Sequence, residues 1–155
     1  MSKIYQKSLT GRVRRRTRTL NVLIACEESQ AECIAFRRLG HRAFSCDLQK
    51  ARYHDEWHIR GDVTPYLEGA TQFKTEEGKR PYLHPSWFGE KYTKKTLYWL
   101  RNLPPVMPTI EYANPKQYVH SSRGKYRSRT FPQVAEALAT QWSAYILDEL
   151  NKSNQ

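Results

Sequence analysis

The sequence has no long apolar run and few cysteines. Its 155 residues contain no stretch of about 18 consecutive apolar side chains, so we expect no membrane-spanning helix. The first 20 residues lack the apolar segment of a secretory signal, which favours a cytoplasmic protein. The three cysteines, Cys26, Cys33 and Cys46, are odd in number and lie in apolar surroundings. They indicate reduced core thiols rather than a disulfide framework.

Acidic residues are scarce: 15 Asp and Glu stand against 26 Lys and Arg, which gives a net charge of +11. Residues 1–20 carry seven bases and no acid, and residues 79–129 carry eleven bases and two acids. The segments 21–78 and 130–155 have net charges of −3 and −2. Two basic blocks beside a slightly acidic body indicate a polyanionic partner, most often nucleic acid. The alternative is a surface whose charge only keeps the protein in solution.

Residues 1–19 are interpreted as a basic flexible tail, because closely spaced like charges repel each other and oppose folding. Residues 20–155 then form a single domain, the usual organisation at this length. In the tail, contacts with nucleic acid are expected from Arg12, Arg14, Arg15, Arg16 and Arg18. In the second basic block they are expected from Lys91, Lys94, Lys95, Arg123, Lys125, Arg127 and Arg129.

Aromatic residues alternate with the bases of the second block. We interpret Tyr92 and Tyr126 as platforms on which the bases of a single strand stack. The competing interpretation places the large rings in the core, with the stems of Lys and Arg lying over them. It is the one we adopt for Trp99, and it also applies to Trp87, Phe88 and Phe131.

The first half of the domain is predicted to fold as β–α–β followed by a third strand. "NVLIAC", "HRAFSCDL" and "WHIRGDV" are short apolar runs typical of strands, and "QAECIAFRRLG" is predicted to be a helix. Strands separated by a helix predict a parallel sheet. At the start of the helix, Ser29 and Glu32 have the spacing of a capping box.

Two helices are expected in the second half. "KKTLYWLRNL" is short and amphipathic, whereas "TFPQVAEALATQWSAYILDELN" is the clearest helix of the chain. The apolar face of the latter would comprise Val134, Leu138, Trp142 or Gln141, Tyr145 and Leu150. We therefore predict an α/β fold: a reduced parallel sheet of about three strands in the order 3-2-1, with this long C-terminal helix packed on it.

A nucleotide-type ligand would bind beyond the carboxyl ends of these strands. Asp47 follows the second strand, where a carboxylate can bond ribose hydroxyls, and Asp62 follows the third, where it could accept from an adenine amino group. The turn after the first strand, "CEES", is not Gly-rich, and its carboxylates would repel phosphates. A cofactor with a positive centre and no phosphate, such as S-adenosylmethionine, fits this turn better.

A metal site is not expected. "HDEWH" (His54–His58) differs from the zinc motif H-E-x-x-H at its second position and leads into a strand rather than a helix. The cysteines have no C-x-x-C spacing.

Several blocks of the sequence resemble a known family. "LIACEESQAECIAFRRLGHRAFSCDLQ", "HDEWHIRGDV" and "FKTEEGK" are similar to the N-terminal half of phage and prophage DNA cytosine methyltransferase-like proteins. "FGEKYTKKTLYWLRNLPPVMPT" and "VHSSRGKYRSRTFPQVAEALATQW" are similar to their C-terminal half. The resemblance implies a Rossmann-like, methyltransferase-type fold that uses S-adenosylmethionine, in the host cytoplasm if a phage encodes the chain.

The resemblance also implies roles for individual residues. The turn formed by Cys26, Glu27, Glu28 and Ser29 would approach the methionine part of the cofactor. Asp47 would hold the ribose and Asp62 the adenine. The loop from Arg129 through Thr130 to Phe131 would close the pocket.

The chain departs from this family at the catalytic block. After "FKTEEGK" the family continues into a fourth strand that ends in a Pro-Pro-Cys turn, whose cysteine is the nucleophile. Here "GKRPYLHPSWFG" joins the two halves directly, and no cysteine lies beyond position 46. Cytosine chemistry needs a thiolate beside the flipped base, so no catalytic residue is assigned. The lost strands would expose a sheet edge, to be covered by residues 81–103 or by a second copy in a homodimer.

Three functional classes remain open. The first is a catalytically incomplete, nucleic-acid-binding relative of a phage methyltransferase that acts against host defence. The second is an active methyltransferase whose nucleophile comes from elsewhere. The third is an inhibitor that docks on a nucleic-acid-loaded host defence protein complex. Binding of S-adenosylmethionine is expected to be weak or lost, because the pocket wall after the fourth strand is missing.

Overall fold

The computed structural model describes residues 18–66, 82–98, 103–118 and 129–153, and it has a mixed α/β architecture. Its first half contains strand β1, helix α1 and strands β2 and β3, at Asn21–Ala25, Ala31–Arg38, Arg42–Asp47 and His58–Arg60. These three strands form one parallel sheet in the order β1-β2-β3. The predicted parallel sheet, its strand order and its intervening helix are confirmed.

The second half adds four two-residue strands and the C-terminal helix α2. The strands β4, β5, β6 and β7 lie at Tyr82–Leu83, Tyr92–Thr93, Thr96–Leu97 and Lys116–Gln117, and α2 spans Pro132–Lys152. Strand β4 pairs antiparallel with β6, and β5 pairs parallel with β7. The helix predicted at "KKTLYWLRNL" is wrong for the part that the structure describes, because Thr96 and Leu97 form a strand.

One core lies between the parallel sheet and the two helices. Cys33 and Phe36 of α1 pack there against Ala43 of β2. Ala135 and Ala139 of α2 complete the cluster. Ala135 and Ala139 are small side chains through which α2 packs against α1. The sequence pattern did not predict this contact.

A second core lies where α2 meets the short strands. It contains Leu83, Phe88, Val134 and Leu138. Phe131, Trp87 and Trp142 pack against it, so the interpretation of Trp87, Phe88 and Phe131 as core aromatics is confirmed. Trp99 lies outside the described residues.

The apolar face predicted for α2 is correct only in its first half. Val134 and Leu138 are buried and Trp142 is half-buried. Tyr145 and Leu150 are both 38 % exposed. The main packing of α2 is against α1 rather than on the sheet itself. Within the described residues, no helix combines the length and the apolar character needed to cross a bilayer.

The capping box predicted at Ser29 is wrong. The residue that precedes α1 is Gln30, in the left-handed region at φ 58°, and its side chain does not cap the helix. The carboxyl of Glu27 does so instead, since its oxygens accept the N–H groups of Glu32 at 2.6 Å and Cys33 at 3.2 Å. A second left-handed residue, Cys26 at φ 57°, turns the chain and makes this possible.

Cys26 also departs from the expectation that all three cysteines are core thiols. Cys33 and Cys46 are buried, but Cys26 is exposed at the end of β1.

Gln30 joins the loop after β1 to the loop after β2. Its side chain is fully buried. Its Oε1 accepts the N–H groups of Tyr53 at 3.1 Å and His54 at 2.7 Å. Its Nε2 donates to Ser45 Oγ at 3.2 Å and to the carbonyl of His54 at 2.9 Å. One amide thus satisfies four polar partners and fixes the carboxyl-terminal side of the sheet.

Candidate functional site

The carboxyl edge of the parallel sheet holds three of the residues predicted to bind a cofactor. The pKa of the Cys46 thiol is raised mainly by burial and further by Cys26, Asp47 and Asp62, so these three side chains lie around it. Asp47 accepts the N–H of Gln49 at 2.9 Å. Each carboxylate therefore sits at the expected strand end.

Asp62 is held in a local turn. One of its oxygens accepts the N–H of Thr64 at 2.8 Å and the hydroxyl of Thr64 at 2.7 Å. These hydrogen bonds lower the pKa of Asp62, which keeps the side chain ionised. Asp62 is exposed.

The other predicted cofactor residues have different surroundings. Glu28 is half-buried, and its carbonyl accepts the N–H of Arg52 at 3.2 Å. Ser29 is buried beside α1. Phe131 packs edge-on against Tyr118, with ring centroids 5.3 Å apart. Whether these residues meet a cofactor stays a prediction.

Glu27 belongs to a buried pair of carboxyl groups. Glu27 and Glu32 are 5 % and 7 % exposed. The hydroxyl of Thr130 donates to Glu32 Oε1 in a short hydrogen bond. Tyr98 adjoins the pair: burial raises the pKa of its hydroxyl, and Glu32 raises it further. The start of α1 is thereby fastened to the chain entering α2.

The pKa of the Glu27 carboxyl is raised to about 11, which favours its neutral form. Burial is the largest cause, and a hydrogen bond with Glu32 and the charge of Glu32 act in the same direction. The hydrogen bonds from the N–H groups of Glu32 and Cys33 oppose this change. The shared proton lets two carboxyl groups lie together out of water.

This proton predicts a pH-dependent stability. The folded state holds it, whereas an unfolded chain releases it once the pH rises above the ordinary glutamate pKa of 4.5. The contribution of Glu27 to stability is therefore complete below that value and falls as pH rises toward about 11. Relative to wild type, Glu27→Gln should gain about 1 kcal/mol or more between about pH 5 and pH 8. Urea unfolding followed by circular dichroism measures this difference.

The comparison with wild type is needed because His41 also makes stability depend on pH. Burial lowers the pKa of His41, so its contribution to stability rises with pH in both proteins, opposite to that of Glu27. Glu28→Gln, at a neighbouring half-buried position, is the matched control. A stability difference between Glu27→Gln and wild type that stays constant with pH would contradict the assignment of the proton.

Four predicted residues, Lys91, Lys94, Lys95 and Arg129, form with Lys116 what we call the basic surface. Lys94 Nζ donates to the carbonyl of Arg129 at 3.1 Å, which ties the β5–β6 turn to the entry of α2. Pairing of β5 with β7 adds Lys116, whose N–H donates to the carbonyl of Lys91 at 2.9 Å. Lys116 was missed from the sequence, because only strand pairing brings it here.

Aromatic rings lie among these cations. The Lys91 ammonium is 5.3 Å from the centre of the Tyr92 ring, and Lys95 is 4.7 Å from that of Tyr82. Tyr92 also packs edge-on against Tyr118 at 5.4 Å. Tyr92 and Tyr118 are half-buried and keep part of their rings accessible.

Among the other residues predicted to contact nucleic acid, Arg18 lies near the C-terminal end of α2. Its Nη1 donates to the carbonyl of Leu150 at 3.1 Å. A cation is favourable there because of the helix dipole. The remaining predicted contacts lie outside the described residues: Arg12, Arg14, Arg15, Arg16, Arg123, Lys125 and Arg127.

The N-terminus of α2, where the helix dipole would favour a phosphate, already holds a carboxylate. The carboxylate of Glu90 accepts the N–H of Gln133. Burial raises the pKa of Glu90, while this hydrogen bond and Lys91 oppose the change. A carboxylate thus already satisfies one of the free N–H groups at this helix end.

A groove of about 420 Å³ opens between α1 and α2. Three arginines, Arg38, Arg52 and Arg129, line it together with Glu136. No sequence pattern indicated this groove, since its walls come from three separate parts of the chain. The residues that line it also include Ser29, Ala31, Ile34, Ala35, Leu39, Tyr53, Thr130, Pro132, Ala139 and Thr140.

The histidines of "HDEWH" have local partners. His54 stacks on Trp57 with centroids 3.9 Å apart and pairs with Glu56 at 3.2 Å. His58 lies in β3 and reaches Ser45 Oγ at 2.8 Å. Among the residues that the structure describes, no group of three or more His, Cys, Asp or Glu side chains is placed to hold a metal ion.

The chain was compared with protein families, curated proteins and solved structures, and none of them matches it. The resemblance to methyltransferase-like proteins therefore stays a prediction from the sequence.

Proposed function

We propose that this protein binds single-stranded nucleic acid through the basic surface. Two links carry the proposal, Lys94 to Arg129 and Lys116 to Lys91, because together they gather cations from three separate segments. Among the described residues, Lys91, Lys95 and Lys116 form no salt bridge. Such cations are available to neutralise phosphates, which supplies most of the affinity of non-specific binding.

The aromatic rings support a single strand as the ligand. Tyr92 and Tyr118 lie beside the cations with part of their rings accessible. Bases of a single strand stack on such rings for about 1–3 kcal/mol each, whereas a duplex hides the faces of its bases.

We further propose that the protein is a non-catalytic relative of Rossmann-like methyltransferases. The three-stranded parallel sheet and the carboxylates at its edge support this ancestry. Burial raises the pKa of Cys33 to about 11 and raises that of Cys46 as well, so neither thiol ionises readily at neutral pH. A role against host defence, a protein partner, a homodimer and weak binding of S-adenosylmethionine stay predictions.

The proposal predicts a strong effect of charge at the basic surface. Combining Lys91→Ala, Lys95→Ala and Lys116→Ala should weaken binding of a labelled single-stranded oligonucleotide about 10–100-fold near 0.1 M salt. The slope of log K against log salt should become shallower by about 2, since about 0.7 is lost with each phosphate contact. Fluorescence anisotropy across a salt series measures both quantities.

A matched control removes the same charge elsewhere. Lys50 and Lys152 pair with carboxylates at exposed positions, and Arg42 is exposed at the start of β2. Replacing these three residues with alanine should leave most of the affinity. Equal losses in the two triple variants would reduce the effect to net charge, and a wild-type protein that does not bind would overturn the proposal.

A further inference from the structure

The groove between α1 and α2 combines an apolar floor with a cationic end. Ile34, Ala35 and Ala139 form part of the floor. Ser29 precedes α1, and Arg129 and Thr130 precede α2. Arg52 comes from the loop after β2, and its N–H bonds the carbonyl of Glu28 beside the start of α1. These four residues form the polar end. With three arginines and one glutamate, the lining has a charge of +2. A ligand that is anionic at one end and flat and apolar at the other suits this arrangement.

Arg52 points to the anionic end of that ligand. Its Nη1 is buried and has no hydrogen-bond partner among the described residues. A buried guanidinium nitrogen without a partner is costly, and an anion in the groove would satisfy it. The Arg52 guanidinium lies 5.5 Å from the ring centre of Tyr53, which is itself 62 % exposed. An aromatic face therefore stands next to the cation.

We propose that this groove binds a nucleoside monophosphate unit. The phosphate contacts Arg52 and Arg129, and the base lies over the apolar floor beside Tyr53. The volume of about 420 Å³ falls within the range of small-molecule pockets. Glu136 carries the opposite charge, and the three arginines outweigh it. The unit is either a free nucleotide or the terminal nucleotide of a strand.

Binding of the terminal nucleotide of a strand rests on the proposed function. Arg129 belongs both to the lining of the groove and to the basic surface. A strand held on the basic surface would thus meet the groove at Arg129, and a terminal phosphate would add contacts that an internal nucleotide lacks.

The test uses the full chain and three probes: adenosine monophosphate, inorganic phosphate, and a short oligonucleotide with or without a 5′-phosphate. Calorimetry should show that the nucleotide binds more tightly than phosphate alone. Anisotropy should show that the phosphorylated strand binds about tenfold more tightly than the unphosphorylated one. Arg52→Ala should abolish this preference without changing affinity for the unphosphorylated strand.

Matched variants separate the contributions. Tyr53→Ala should weaken the nucleotide and leave phosphate unchanged, and Arg42→Ala, which removes one exposed charge away from the groove, should change neither. Circular dichroism checks that each variant is folded. Equal binding of nucleotide and phosphate, or an Arg52→Ala variant that binds the nucleotide as wild type does, would overturn the groove assignment.

The outcomes also separate the two proposals. If both oligonucleotides bind equally and the nucleotide does not bind, the groove proposal fails while binding at the basic surface stands. If the nucleotide binds and no oligonucleotide does, the groove takes a free nucleotide and the proposed function fails.

Discussion

Replacing Gln30 with leucine should lower the free energy of unfolding by about 3–5 kcal/mol. The substitution removes the four hydrogen bonds of the buried amide and leaves its partners on Ser45, Tyr53 and His54 without a replacement. Each buried polar group left unsatisfied costs about 1–3 kcal/mol, and Ser45 can recover part of this through its contact with His58. Equilibrium unfolding in urea measures the change.

The matched control for this prediction is Gln49→Leu. It makes the same chemical change at an exposed position in the loop after β2. We expect an effect within about 0.5 kcal/mol there. A Gln30→Leu variant as stable as the control would show that the amide does not fasten the two loops.

Replacing Leu138 with alanine should cost about 3–4 kcal/mol. Leu138 is fully buried and lies at the centre of the second core, with Leu83, Phe88 and Val134 around it. Truncation removes apolar contacts and leaves a cavity that the surrounding short strands can fill only in part. Thermal and urea unfolding should both report the loss.

Leu150→Ala provides the same change on the same helix at a residue that is 38 % exposed. Its expected cost is below about 1 kcal/mol, since most of the side chain already meets water. Similar costs at the two positions would mean that the contacts of α2 with the short strands contribute little to stability.

The sequence predicted the first half of the fold because its signals are local. "NVLIAC" and "HRAFSCDL" are short, apolar and bounded by polar turns, and Gly40 follows the end of the helix between them. Gly40 has φ 87°, the left-handed conformation that glycine adopts most readily at the end of a helix. Parallel pairing then follows from the order of strand, helix and strand.

The cap of α1 was predicted incorrectly because the capping-box rule considers only residue spacing and not the backbone turns before the helix. Ser29 and Glu32 have the spacing of a capping box, yet left-handed turns at Cys26 and Gln30 bring the Glu27 carboxyl to the helix end instead. Nothing in the one-dimensional pattern distinguishes Glu27 from Glu28.

In the candidate sites too, residues placed by local structure were predicted and residues brought together by tertiary packing were not. Asp47 and Asp62 could be located from strand ends alone, and the structure places both around Cys46. Lys116 could not be located, because it joins Lys91 only through the pairing of β5 with β7. The groove was also beyond prediction, since it depends on how closely two helices approach each other.

Ala35 and Ala139 belong to the first core and also to the lining of the groove. The same two methyl groups thus set both the separation of α1 from α2 and the width of the cleft. A larger side chain at either position would push the helices apart and reshape the cleft in one step. Natural variation at these positions is therefore constrained twice, and the cleft cannot be remodelled there without a compensating change in the core.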